Sequence, residues 1–266
     1  MTSLDADAIR AALGELASRR LAGCEAFTEI DSTNSYLMQL DAPAAGGFRI
    51  ALTDNQTAGR GRHGRTWQSP AGTGLALSVA YTFTAQPANL AALTLAIGIG
   101  IAEALDVLGA AGVQLKWPND LIARDGKLGG ILTEAQAPAG EAITVVTGVG
   151  INLELREALD RQISNLTDFV DELPERNLLA ARLIDGICET FVTYEMSGFS
   201  AFAGRWSERD WLRGRQVTIS TPRDSLTGIG AGVAADGALL VDTGAATASR
   251  VTSGTVVSAG TGETAS

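Results

Sequence analysis

The chain has 266 residues, with 20 basic against 30 acidic side chains and a formal net charge of -10. A single histidine, His63, excludes a multi-histidine metal centre, and two cysteines, Cys24 and Cys188, argue against a disulfide scaffold. The acidic balance argues against binding nucleic acid through bulk charge. The opening MTSLDADAIR has no basic segment followed by an apolar core, so no secretory leader is expected. With 45% apolar residues the chain can bury a sizeable core, and a reduced, cytoplasmic globular protein is expected. Only two of the 20 basic residues are lysine, Lys116 and Lys127; the rest are arginine. A GC-rich coding sequence explains the exchange in general, but not why these two lysines persist.

In chain order, residues 4–20 read as one helix, with Ile9, Leu13 and Leu16 on one face. Residues 25–30 alternate like a short strand. Asp31-Ser32-Thr33-Asn34 is rich in helix-capping residues, and Tyr36, Leu37 and Leu40 follow at helical spacing. Residues 49–53 read as a strand, 55–74 as a polar loop rich in Gly and Arg, and 75–83 as a strand. The apolar stretch 90–108 predicts a buried helix, because Glu103, Asp106 and several glycines make it a poor membrane span. Residues 113–117 predict a strand ending at Pro118. Strands 121–124 and 127–134 flank Asp125-Gly126, a strong hairpin signal. Residues 143–152 predict another strand, 177–194 an amphipathic helix and 200–211 a shorter one.

After Arg213 the pattern changes to short β-like runs at 216–220, 225–234 and 238–241, with a second hairpin signal at Asp236-Gly237. The expected class is α+β: a mixed-sheet domain over 1–213 and a small all-β barrel over 214–266, with residues 260–266 frayed.

Gly59-Arg60-Gly61-Arg62-His63-Gly64 matches the G-x-G-x-x-G spacing of a dinucleotide-binding turn. The context fails, because no helix follows and no acidic residue stands about 20 positions on. The segment reads better as an anion clamp. Glycines let backbone N–H groups turn inward, and Arg60, Arg62 and Arg65 carry forked donors suited to phosphate or carboxylate. In isolation, an ordinary solvated loop explains it as well.

Four segments together change that balance. They are Asp31-Ser32-Thr33-Asn34; Gln56 with the run from Gly59 to Trp67; Lys116-Trp117-Pro118-Asn119-Asp120 with Lys127-Leu128-Gly129-Gly130-Ile131-Leu132; and Gly148-Val149-Gly150-Ile151-Asn152. In order and spacing they resemble biotin protein ligases, across about residues 28–153. The resemblance implies a mixed-sheet catalytic domain of the class II aminoacyl-tRNA synthetase and biotin ligase type, with an SH3-like C-terminal domain. It implies ATP and biotin as substrates, Mg2+ as cofactor, and a biotin carboxyl carrier domain of an acyl-CoA carboxylase as protein partner. The implied reaction forms biotinyl-5′-AMP and pyrophosphate, then transfers biotin to a carrier lysine and releases AMP.

The resemblance also implies residue roles. Lys127 and Arg62 are expected to be catalytic. Ser32, Thr33, Asn34, Gln56, Arg60, Gly61, Arg62 and Lys127 are expected to bind biotin. Arg60, Arg65, Trp67, Lys116, Asn119 and Asn152 are expected on the ATP side, while the metal ligands stay unknown. Simpler structural readings stand beside these: a helix cap for Ser32 to Asn34, a surface hairpin lysine for Lys127, a turn residue for Asn119 and a strand-end cap for Asn152. His63 is given no catalytic role. A lipoate or octanoyl carrier-protein enzyme of related fold is the alternative, and a non-enzymatic biotin sensor or DNA-binding regulator is the alternative from another class. Only 30 residues precede Asp31 and no basic reading helix is seen, so no DNA binding is expected. No membrane partner is expected, and the oligomeric state is read as monomer or ligand-dependent dimer. The Arg-Gly loop is expected to be mobile when empty and ordered by the adenylate.

Overall fold

The computed structural model describes residues 3–68, 70–87, 89–136, 142–155, 162–221 and 224–260. Its elements in chain order are α1 (Ala6–Ala12), α2 (Glu15–Arg20), β1 (Leu21–Ile30), α3 (Thr33–Gln39), β2 (Phe48–Gln56), β3 (Gly74–Thr82), α4 (Leu93–Val107), β4 (Gln114–Lys116), β5 (Asp120–Ala123), β6 (Gly126–Ala135), β7 (Thr144–Asn152), α5 (Arg176–Ser197) and α6 (Ala203–Arg209). The tail adds β8 (Gln216–Ser220), β9 (Ser225–Val233), β10 (Leu239–Asp242), β11 (Ser249–Val251) and β12 (Thr255–Gly260). The first seven strands form one sheet in the order β1-β2-β3-β7-β6-β5-β4. Only β1 and β2 pair in parallel, so the domain is α+β with a mixed sheet.

Side-chain alternation splits this sheet into two unlike faces. Phe48, Ile50, Leu52, Leu75, Leu77, Val79, Tyr81, Val149 and Ile151 belong to one large core, which also takes in α4 and α5. Helix α4 is apolar on nearly every side because it is enclosed by the sheet and by α5. The two helices meet backbone to backbone: a Cβ built on Gly100 would lie 2.6 Å from the Gly186 carbonyl oxygen. The opposite face carries small residues, Ala51, Ala80 and Val146, over which Leu37 of α3 packs. That face beyond α3 is left for a site.

Several local expectations shift. Residues 4–20 form two helices, because Leu13 and Gly14 leave helical geometry and the Gly14 N–H donates to the Asp185 carboxylate (2.8 Å). The buried helix starts at Leu93 instead of residue 90, and 200–211 is a 3-10 turn followed by α6. In the β5–β6 hairpin the two positive-φ residues are Arg124 (46°) and Asp125 (61°), so the turn lies one residue earlier than the Asp-Gly signal suggests. Gly126 serves a different purpose. A Cβ there would sit 2.4 Å from Ser164 Oγ and 2.7 Å from the Ile163 carbonyl, so glycine lets segment 162–164 pair alongside Lys127. Asp236-Gly237 does lie in the β9–β10 turn, with Gly237 at φ 84°.

The tail is a five-stranded antiparallel sheet in the order β11-β10-β9-β8-β12; β11 and β12 escaped the sequence reading. Its buried Val217, Ile219, Leu239, Val241 and Val251 are continuous with the main core. The Trp117 indole N–H donates to the Gly237 carbonyl (3.0 Å) and Asn89 Nδ2 to the Asp236 carbonyl (2.8 Å). Residues 261–266, most of the segment expected to fray, lie outside the described residues. Among the described residues no helix is long and apolar enough to cross a membrane.

Candidate active site

Cross-strand register sets out the floor of the site. Lys116, Asp120, Gly130, Gly150 and Ala76 form one row across β4, β5, β6, β7 and β3. Leu132, Gly148 and Ser78 form the next. Of these, Lys116, Asp120, Gly130, Leu132, Gly148 and Gly150 line a cavity of about 370 Å³, together with the start of α3, Gln56, the Arg-Gly loop and the start of β12. That size suits a small-molecule ligand.

The glycines of the floor are sterically required. A Cβ on Gly148 would fall 2.3 Å from Asn34 Oδ1, and one on Gly150 would fall 2.3 Å from Trp67 Cε2. The Gly-Val-Gly-Ile-Asn run marks this strand in the sequence, but the need for its glycines comes from Asn34 and Trp67, which are distant in the chain.

One end of the cavity is neutral and polar. Ser32 caps α3, its Oγ accepting from the Ser35 N–H (3.4 Å). The Thr33 N–H donates to Gln56 Oε1 (3.0 Å), and the Ser78 hydroxyl donates to Asn34 Oδ1 (2.6 Å) while lying 2.6 Å from Thr33 Oγ1. Asn34 Nδ2 donates to Glu134 Oε2 (2.8 Å) and to the Leu132 carbonyl (3.2 Å). Ser32, Thr33, Asn34 and Ser78 are all buried. Ser78 and Glu134 were not foreseen, because nothing in a strand sequence marks which residue a distant helix will meet.

The other end is cationic. Arg62, Arg65, Lys116 and Lys127 line it, with Asp120 among them. Lys127 Nζ is hydrogen-bonded to Asp120 Oδ1 and lies 5.8 Å from the Trp67 ring centroid. Lys127 faces the cavity because of a β-bulge. Leu121 pairs with Gly129 and Ile122 with Lys127, so Leu128 has no partner on β5 and the side-chain alternation resets there. With unbroken alternation from Gly130, Leu128 would face the cavity and Lys127 the core; the bulge reverses both, so Leu128 enters the core and Lys127 the cavity. Lys116 Nζ stands 5.1 Å from the Trp211 ring centroid. Burial pushes the Lys116 ammonium below its ordinary pKa; Asp120 acts against that shift and Lys127 reinforces it. Burial likewise lowers the Arg62 guanidinium, with Asp120 opposing and Arg65 adding to the effect.

The Arg-Gly loop is a short closed lid. The Trp67 N–H donates to the Gly59 carbonyl (2.9 Å), and the Gly61 N–H to the Arg65 carbonyl (2.7 Å). Arg62 to Gly64 make a 3-10 turn with His63 at φ 56°. No α-helix follows until α4, so the dinucleotide-turn geometry is absent. Arg60 also lines the cavity, while its guanidinium makes a bidentate pair with Glu134 (2.9 and 2.7 Å). The Trp67 indole N–H is buried with no hydrogen-bond partner among the described residues, leaving a donor for a ligand atom.

Two further expected site residues have structural partners. Asn119 lines the cavity, but its Nδ2 donates to the Ile131 carbonyl (2.9 Å). Asn152 is buried beneath the site; its Nδ2 donates to the carbonyls of Lys127 (3.0 Å) and Ser164 (3.3 Å), and it does not line the cavity. Its direct contribution here is to hold the backbone of Lys127.

A cavity with neutral paired donors and acceptors at one end and clustered cations at the other suits an enzyme that brings a carboxylate to a phosphate. Comparison with known proteins narrows this class. Residues 26–152 match the model of the Biotin/lipoate A/B protein ligase family, and residues 213–257 that of the biotin protein ligase C-terminal domain. The chain is 33% identical over 233 residues to the biotin–[acetyl-CoA-carboxylase] ligase of Mycobacterium tuberculosis, covering 84% of each protein. It is 37% identical over 216 residues to the bifunctional ligase/repressor of Escherichia coli, covering 80% of this chain and 67% of that one. The biotin protein ligase of Aquifex aeolicus, solved in complex with biotin and ATP, superposes with a TM-score of 0.73 at 25% identity, covering 90% of this chain and 97% of that one. The chain belongs to the biotin protein ligase family.

Proposed function

We propose that this protein activates biotin with ATP and transfers it to a lysine of a biotin carboxyl carrier domain. The carrying observation is the two-ended cavity, set in a chain of this family. The neutral end, from Ser32 to Asn34 with Gln56 and held by Ser78, matches the needs of a ureido ring, which presents two N–H donors and one carbonyl in an otherwise apolar body. The cationic end answers the central difficulty of the first step. A biotin carboxylate must approach the α-phosphate of ATP, and two anions meet only where cations neutralise both. Lys127 stands at the cationic end, where the carboxylate and the bridging phosphate oxygen would meet. Arg62 and Arg65 approach from the lid, and Lys116 from the far side of the row. Trp67 covers the glycine floor at the middle of the cavity.

Mg2+ fits this site as a companion of the nucleotide. Among the described residues no three His, Cys, Asp or Glu side chains cluster as a metal cage. Mg2+ is commonly held by substrate phosphates with few protein ligands, so it would enter with ATP and neutralise the triphosphate. The chain's own residues then hold the carboxylate, exclude water and stabilise the charge that develops on the α-phosphate oxygens.

Domain boundaries near residue 213 fit this reading. Gly254 and the first two residues of β12, Thr255 and Val256, contribute to the cavity wall, so the C-terminal sheet helps close the site. Pyrophosphate release from ATP that depends on biotin, followed by labelling of a carrier domain, tests the proposal. Equal or greater activity with lipoate would favour the related lipoate enzymes. No pyrophosphate release with either acid would refute both.

A further inference from the structure

The cationic end contains one carboxylate that the first step does not need. Asp120 lines the cavity on the same row as Lys116 and Gly130. Its charged neighbours come from three elements: Lys127 on β6, Lys116 across the β4–β5 turn, and Arg62 on the lid. A negative group here opposes the entry of two anionic substrates, so a role in binding them does not explain it. Only one other carboxylate lines the cavity among the described residues, that of Asp125. It accepts from the Trp211 indole N–H (3.0 Å) and from Arg215 (3.2 Å), and stands mostly in solvent. Glu134 is outside the cavity lining and is bound by Arg60 and Asn34. Among the described residues the Asp120 carboxylate has only Lys127 as a hydrogen-bond partner, and Lys127 is the residue the substrates would draw away.

Transfer to the carrier has a requirement that adenylate formation lacks. The carrier lysine arrives as an ammonium ion, with an ordinary pKa of about 10.4, and only the free amine attacks. We propose that Asp120 is the general base of this second step. The assignment rests on the biotin ligase reading. With biotinyl-AMP bound, Lys127 turns from Asp120 to the acyl phosphate, leaving the Asp120 carboxylate exposed beside the reacting carbon. Asp120 takes one proton from the incoming ammonium. The amine lone pair forms the C–N bond to the biotin acyl carbon, and the C–O bond to phosphate breaks with its electron pair leaving on AMP. The second amine proton passes to the departing AMP phosphate. One residue pair thus serves both steps: Lys127 stabilises the anhydride and Asp120, once released, removes the proton.

The test supplies biotinyl-AMP directly to wild-type enzyme and to Asp120→Asn, which bypasses the first step. Single-turnover transfer is measured to a carrier domain and, separately, to hydroxylamine, a nucleophile already unprotonated at neutral pH. The Asn variant should lower the ratio of carrier transfer to hydroxylamine transfer by at least ~100-fold, the scale of a general base. Its carrier transfer should also keep rising tenfold per pH unit where the wild type has levelled off. Asp120→Ala serves as the second variant, and a thermal melt of each checks folding. Parallel loss with both nucleophiles would overturn the proposal, making Asp120 a positioning residue for Lys127. Unchanged carrier transfer would overturn it outright. Wild-type biotin-dependent pyrophosphate release is measured alongside; its absence would remove the ligase reading and this proposal with it.

Discussion

Replacing Gly150 by alanine isolates the lid from the rest of the fold. The new Cβ would lie 2.3, 2.5 and 2.6 Å from Cε2, Cζ2 and Nε1 of Trp67. Carbon atoms settle about 3.5–4.0 Å apart, so the indole must retreat by more than about 1 Å. Gly150 cannot yield, because β7 is paired on both sides, with Ala76 and with Gly130. Its backbone is ordinary strand, so alanine there is not strained, and the lid moves instead. A tryptophan buries about 150–250 Å² in all, and losing about half of that at about 25 cal/mol per Å² removes about 2.5 kcal/mol from lid closure. That figure corresponds to about 70-fold in the closed-to-open ratio. Trypsin reads the result directly, because Arg62 and Arg65 are cleavage sites within the lid. Cleavage there should accelerate by about that factor and the biotin KM should rise in parallel, with little change in global unfolding. Biotin with ATP should protect the wild-type lid far better than the variant lid. In a Trp67→Ala background the Gly150→Ala change should add almost nothing. Cleavage and KM within about twofold of wild type would refute the proposed packing of the lid on the floor.

Three further outcomes follow from the geometry. Lys127→Ala should lower biotin-dependent adenylate formation by at least ~100-fold, and near-normal pyrophosphate release would reject its assigned role. Arg176 is buried and bonds both Asp54 (2.5 Å) and the Gly74 carbonyl (2.7 Å), so Arg176→Met should cost about 3–5 kcal/mol in urea unfolding by stranding a largely buried carboxylate; a loss below about 1 kcal/mol would contradict this. Burial holds the Lys116 ammonium below its ordinary pKa, and a bound phosphate would raise it again by favouring the charged form. ATP binding should therefore take up protons, more at alkaline than at neutral pH. Calorimetry in buffers of different ionisation enthalpy measures this, and uptake unchanged in Lys116→Met would place the effect elsewhere.

The family, the change to short strands after residue 213 and much of the cavity lining are legible in the residues alone. Those features rest on local chemistry that composition and spacing reveal: capping residues before α3, glycines and arginines interleaved in the lid, period-two runs in the strands. The sequence also marked the two lysines, and both line the one cavity. Tertiary structure decided what each residue faces. The bulge at Leu128 sets the side of the sheet on which Lys127 lies, and no spacing rule reveals a bulge formed by pairing with β5. Gly126 reads as a turn residue in sequence, but its reason is the close passage of segment 162–164, which is distant in the chain. Gly148 and Gly150 read as strand residues until Asn34 and Trp67 arrive from α3 and the lid to rest on them. Arg60 faces Glu134, Asn152 faces the Lys127 backbone, and Asp120 enters the site hydrogen-bonded to Lys127. Each depends on contacts between residues far apart in sequence, which only strand register and the packing of α3 and the lid against the sheet bring together.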